Sequence, residues 1–127
     1  MFDETRNSTF RGIARLENEL LVRDFIEVMN GRDVSALTPF LHREVQYQGR
    51  DGQAVLGSRA VLALFARFVQ RFPEFEVRIH TINCVEQAVL VDETLRASTS
   101  SGRSATPAFA AFLIKDYQII GWNQLFG

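Results

Sequence analysis

Asp92 and Glu93 stand side by side in Val89–Ala97, VLVDETLRA, two carboxylates inside an otherwise apolar run. Burial pushes a carboxyl's pKa up towards the range where it can give and take protons near neutral pH. The chemistry such residues could supply is therefore general acid or base catalysis. On a strand, successive side chains face opposite ways, so Val89, Val91, Glu93, Leu95 and Ala97 share one face, and Leu90, Asp92, Thr94 and Arg96 share the other. The second face is mostly polar, and Asp92 is read as a solvated or interface residue. The first is apolar except for Glu93, and a carboxylate there must be paired, protonated or open to a cavity. Two roles stay open for it: an acid held for function, or a structural acid bonded to a backbone group, to Arg96 or to another basic side chain.

On the last strand, Ile120, Trp122, Gln124 and Phe126 share a face. If that is the inward face, Glu93, Tyr47 and Gln124 converge as candidate catalytic residues, Glu93 moving the proton while Tyr47 and Gln124 orient substrate or water. Trp122, Val91, Phe25 and Phe65 are the candidate apolar walls. The same set also describes a polar-tipped binding pocket for a small lipophilic ligand, and Tyr47 or Trp122 could be plain core. His80 alternates with the wet residues Glu76 and Arg78 and is assigned to surface or interface. No metal site and no cofactor is expected, because His42 and His80 are isolated and no Cys/His cluster has ligand spacing. The glycines of Gly49–Gly57 lack the Walker Lys-Ser/Thr ending and read as turn residues. Cys84 reads as packing.

The elements that must position these groups follow from periodicity. Residues 1–10 are polar and aperiodic and read as a loosely held arm. Ile13, Leu16, Leu20, Leu21, Phe25, Val28 and Met29 then recur at helical intervals, up to a stop at Asn30–Gly31. Asp33 can cap a short second helix through Leu41, and His42–Gln48 reads as a strand. After the loop Gly49–Gly57, Ser58 is read as the N-cap of a third helix ending before Pro73. From Glu74 the period becomes two, with turns at Glu86–Gln87, Ser98–Ala105 and Lys115–Tyr117. Three N-terminal helices and this meander predict an α+β domain, the helices covering one face of a strongly curved mixed or antiparallel sheet. In the strand TPAFAAFLI both faces are apolar, so a second copy packed on the outer sheet face is expected, giving a homodimer.

The 127 residues suffice for one domain and one core, and 46% hydrophobic with 23% charged is an ordinary globular composition. Eleven Phe against two Tyr and one Trp suit a lipophilic interior. A net charge of −1 disfavours nucleic acid and anionic membranes as partners. The start has no signal-peptide pattern and no apolar run approaches a membrane span, so a cytoplasmic protein is expected.

The segments VRDFIEVMNGRDVSALTPFLHREVQYQ, GSRAVLALFARFVQRFPEFEVRIH, VLVDETLRA and IIGWNQLF together resemble the nuclear-transport-factor-2-like superfamily. The nearest branches are the SnoaL-like and limonene-1,2-epoxide-hydrolase-like ones, over about Glu17–Phe126. The resemblance implies a cone-like α+β barrel round three helices, an apolar pocket and usually a homodimer. The epoxide hydrolases it resembles use an Asp-Arg-Asp set with a Tyr and an Asn. On that pattern Glu93 falls at the first Asp, Val91 at the Arg, Gln124 at the second Asp, Tyr47 at the Tyr and Gly49 at the Asn. For the ketosteroid isomerase pattern, Phe25 falls at the oxyanion-hole Tyr and Gln48 at the Asp base. Neither set is intact. The reading is a cofactor-independent protein for a small apolar, polyketide- or terpenoid-like molecule, doing hydration, isomerisation or cyclisation through Glu93; the alternative is a non-catalytic binding or dimeric assembly module on the same fold.

Overall fold

The computed structural model describes residues 2–49 and 52–126, with side chains over 11–49 and 52–125. Helix α1 (Phe2–Asn30) leads into a short 3-10 helix (Val34–Phe40), strands β1 (Leu41–Gln48) and β2 (Ala54–Leu56), and helix α2 (Ser58–Arg71). Strands β3 (Glu74–Val85), β4 (Ala88–Thr99), β5 (Gly102–Lys115) and β6 (Gln118–Phe126) complete the chain. The six strands form one open mixed sheet in the order β2-β1-β6-β5-β4-β3. All neighbours are antiparallel except β1 and β6, which run parallel. Helix α1 packs on β3 and β4, α2 packs on β1 and β2, and the 3-10 helix touches both long helices. The result is the curved α+β cone expected from the sequence.

Val22, Phe25, Ile26 and Met29 are the α1 residues buried against the sheet, at the three- and four-residue spacing of one helix face. Ile13, Leu16 and Leu20, expected on the same stripe, remain about half exposed. The segment read as an arm is helical backbone from Phe2, as no proline breaks the helix before Pro39; the side chains of 1–10 lie outside the described residues. At the other end the left-handed residue is Arg32 (φ 65°), one place after Gly31. Its guanidinium donates to the Phe72 and Val69 carbonyls at 2.8 and 2.7 Å, where α2 has carbonyls without helical partners.

Four local expectations are corrected. Ser58 is the first residue of α2, and Gly57 (φ 90°), with no side chain to cap, is the N-cap residue; its amide instead donates to Val45 O at 2.7 Å. The loop after β1 contains the three-residue strand β2, too short to show a period; Arg50 and Asp51 within it lie outside the described residues. The Ser98–Ala105 turn tightens to two residues, since the polar residues on either side are paired between β4 and β5. A register shift between Leu113 and Ile114 turns Ile119, and not Ile120, into the core.

Strand β3 ends the sheet, which leaves its outer backbone groups without a strand partner. Asn30 supplies one at Val77: its Nδ2 donates to Val77 O at 2.9 Å and its Oδ1 accepts from Val77 N at 2.7 Å. Because Val77 is buried, removing this amide strands a donor and an acceptor together. Asn30→Ala is expected to lower stability by about 2 kcal/mol in equilibrium urea unfolding. A loss within ~0.5 kcal/mol, the usual range for surface substitutions, would refute this role.

Candidate functional site

The alternation along β4 places Val89, Val91 and Glu93 inside and Asp92 and Arg96 outside. Glu93 is 2% exposed. Its side chain and that of Gln124 on β6 belong to strands that are not neighbours, because β5 runs between them. Two strand spacings amount to about 10 Å, a gap that two long side chains can close if nothing bulky rises between them. On β5 the partner of Glu93 is Ala108 and the partner of Gln124 is Ala110, so the gap is spanned over methyl groups.

There Gln124 Nε2 donates to Glu93 Oε1 at 3.1 Å. The other end of the same amide, Oε1, accepts from the Tyr47 hydroxyl at 3.0 Å. Tyr47 reaches it because β1 lies parallel to β6, with Tyr47 opposite Trp122. The two rings meet edge to face, 4.7 Å between centroids and 70° between planes. The three candidate catalytic residues thus form one hydrogen-bonded chain in which every donor points towards Glu93.

A cavity of about 200 Å³ adjoins this chain. Tyr47, Trp122 and Gln124 line one part of it, and Phe65, Phe68 and Phe75 another. Met29, Val61, Leu64, Val77 and Leu95 complete the wall. Of the expected wall residues, Phe65 and Trp122 line the cavity. Val91 and Phe25 do not: both are fully buried, and Phe25 packs its ring edge-on to Trp122, 5.3 Å between centroids. The Phe68 and Phe75 part of the wall was legible only as the apolar stripes of α2 and β3. Glu93 is not itself a lining residue, so it communicates with the cavity through Gln124. His80 lies exposed on the outer face, its Nε2 2.6 Å from Thr94 Oγ1. Among the described residues, no group of three His, Cys, Asp or Glu is placed to hold a metal.

Burial raises the Glu93 pKa above its ordinary value of 4.5. The Gln124 hydrogen bond pulls it back, and the neighbouring Asp92 charge pushes it up slightly further. No ion pair joins Glu93 among the described residues; Arg96, once a possible partner, is on the outer face. The folded protein therefore holds this proton more tightly than the unfolded chain does. Stability is fully present below the ordinary carboxylate value and is lost as pH rises through the raised one, with a slope of at most ~1.4 kcal/mol per pH unit. Glu93→Gln should flatten that part of the pH–stability curve and be at least as stable as wild type above it. Thermal melts of both proteins across the acid to neutral range check this, and parallel curves would refute it.

The family profile of the SnoaL-like domain matches residues 22–122. No curated protein matches the chain by sequence. Among solved structures, an M. tuberculosis epoxide hydrolase of the limonene-epoxide-hydrolase-like kind is 24% identical, with a TM-score of 0.81 over 90% of this chain and 85% of that one. Bal32a, from a soil-derived mobile gene cassette, is 18% identical with a TM-score of 0.81, covering 88% and 90% of the two chains. A hypothetical protein of ketosteroid-isomerase-like fold from Catenulispora acidiphila DSM 44928, in complex with trimethylamine, is 14% identical with a TM-score of 0.78, covering 84% and 85%. At such identities the likeness establishes the fold. Together with the match over residues 22–122, it shows that this chain belongs to the SnoaL-like domain family.

Proposed function

We propose that this protein is a cofactor-independent catalyst of proton transfer on a small apolar molecule carrying one polar group. Glu93 is the acid or base; Tyr47 and Gln124 hold the polar group, or the water that attacks beside it. The observation that carries the reading is a buried acid of raised pKa, without an ion pair among the described residues, tied by hydrogen bonds to the polar wall of an otherwise apolar cavity. Such an acid lowers stability at neutral pH, and perturbed acids of this kind cluster at functional sites. In hydration, protonated Glu93 gives its proton to the substrate, water adds at the adjacent carbon, and the water's proton restores the carboxyl. In isomerisation, one proton leaves one carbon and returns to another.

Size narrows the substrate. An apolar void of about 150 Å³ takes a benzene-sized guest, so ~200 Å³ suits a substituted single ring or a short chain. The M. tuberculosis neighbour, an epoxide hydrolase, supports hydration as the first reaction to try. One observation favours a second reading, a binding module without catalysis: the cavity is lined by Gln124, which does not titrate, and not by Glu93. The trimethylamine complex of the Catenulispora protein fits that reading equally.

A second copy of the chain is proposed to cover the outer face of the sheet. Phe109, Leu113 and Leu125 project there, 42%, 50% and 67% exposed in the single chain, and Phe109 and Leu125 are direct cross-strand partners. Exposed apolar surface of this kind marks an interface.

Two experiments check these readings. Small epoxides and unsaturated ketones are screened for turnover by NMR; Glu93→Gln should lower kcat/KM by about 10²–10⁴-fold while the ligand Kd changes only a few fold. Unchanged turnover in the variant would remove Glu93 from the chemistry, and tight binding with no turnover by wild type would leave the binding module standing. Light scattering should read a dimer that Phe109→Lys converts to folded monomers, and a monomeric wild type would rule the dimer out.

A further inference from the structure

Gly49 follows the last residue of β1, and its φ lies outside the left-handed region that reserves a position for glycine. Backbone conformation therefore does not account for the missing side chain. Space does. A Cβ at this position would lie 2.7 Å from the Tyr47 hydroxyl oxygen, 3.0 Å from Cε2 and 3.1 Å from Cζ of the same ring. The first of these is a separation that real Cβ atoms essentially never show, so a side chain at 49 and the observed Tyr47 exclude one another. What yields is the tip of the ring, because the β1 backbone is held by β2 on one side and β6 on the other. Any such swing carries the hydroxyl away from Gln124 Oε1, now 3.0 Å distant, and works against the edge-to-face packing on Trp122.

We propose that Gly49 is a positioning residue: the empty space above its Cα seats the Tyr47 hydroxyl on Gln124. The proposal rests on the reading of Tyr47, Gln124 and Glu93 as the working polar groups of the cavity. Its consequence runs along the chain of hydrogen bonds. Tyr47 determines which end of the Gln124 amide meets Glu93, since the oxygen is occupied by the phenol and only the nitrogen is left to donate. With the hydroxyl displaced, the amide is free to turn, and its restraint on the Glu93 proton weakens.

The test is the carboxyl-carbon NMR titration of Glu93 in wild type, Gly49→Ala, Tyr47→Phe and the double variant. Each single substitution should move the midpoint upward. In the Tyr47→Phe background, which lacks the nearest clashing atom, Gly49→Ala should add no further shift. An unchanged midpoint in folded Gly49→Ala, or shifts that simply add in the double variant, would overturn the proposal. Should Gly49→Ala fail to fold, the double variant decides: recovery of folding by Tyr47→Phe supports the proposal, and failure of both overturns it. The readout is a titration and not turnover, so a catalytically inert protein would end the proposed activity without altering this result.

Discussion

A single carboxyl withdrawn from water, with no cation paired to it among the described residues, is the constraint around which this structure is arranged. An ionised carboxylate in an apolar interior is expensive, and a protonated one still needs hydrogen bonds. The fold meets that need with a neutral amide and a phenol in series, brought from two other strands. An amide alone would be ambiguous, since either end could face the acid. The phenol removes the ambiguity by occupying the oxygen, and the chain of dipoles then points one way. Burial and this chain act in opposite senses on the Glu93 proton, burial being the larger influence.

Sheet topology is what makes the arrangement possible. Glu93, Gln124 and Tyr47 are far apart in sequence, and the order β1-β6-β5-β4 lines them up across four strands. The strand between the acid and the amide carries alanines at both facing positions, and the parallel β1–β6 pair puts an aromatic ring beside an aromatic ring. The helices contribute the other half of the cavity: Phe65 and Phe68 from α2 stack at 6.3 Å and close against Phe75 of β3. Arg32 ties the end of α2 to the end of α1, and Asn30 ties α1 to the exposed edge of β3. The rigid shell around the acid is thus built from contacts that lie outside the site itself.

Much of this was legible before any coordinates, and what was not has physical causes. The period of two along VLVDETLRA separates Glu93 from Asp92 because a strand admits only two facings, and the structure keeps that separation. The same rule misplaced Ile120, because a bulge shifts the register by one and sequence period carries no sign of it. Strand β2 has too few residues to display a period, and the β4–β5 hairpin extends through Ser, Thr and Gly that composition assigns to a loop. Glycine was the least legible of all. Gly49 resembled an ordinary turn residue, and only the coordinates show the ring of Tyr47 lying in the space its side chain would fill.

The pattern of departures from the epoxide hydrolases that the sequence resembles constrains the chemistry more than the likeness does. Those enzymes bridge two carboxylates with an arginine, and here the corresponding positions hold Glu93, Val91 and Gln124. Among the described residues, no cation then holds the acid in its ionised form, and no second buried carboxylate stands ready to draw a proton from water while the first group donates. Among the described residues, Glu93 is the one carboxyl in the buried set. A site of this composition favours reactions in which the same carboxyl delivers a proton and later recovers one, as in a proton shift within one molecule or hydration completed by the incoming water. A mechanism that needs an acid and a base poised together would have to recruit Tyr47, whose hydroxyl is already committed as a donor to Gln124. On the proposed function, Tyr47 and Gln124 therefore serve orientation and Glu93 carries the proton.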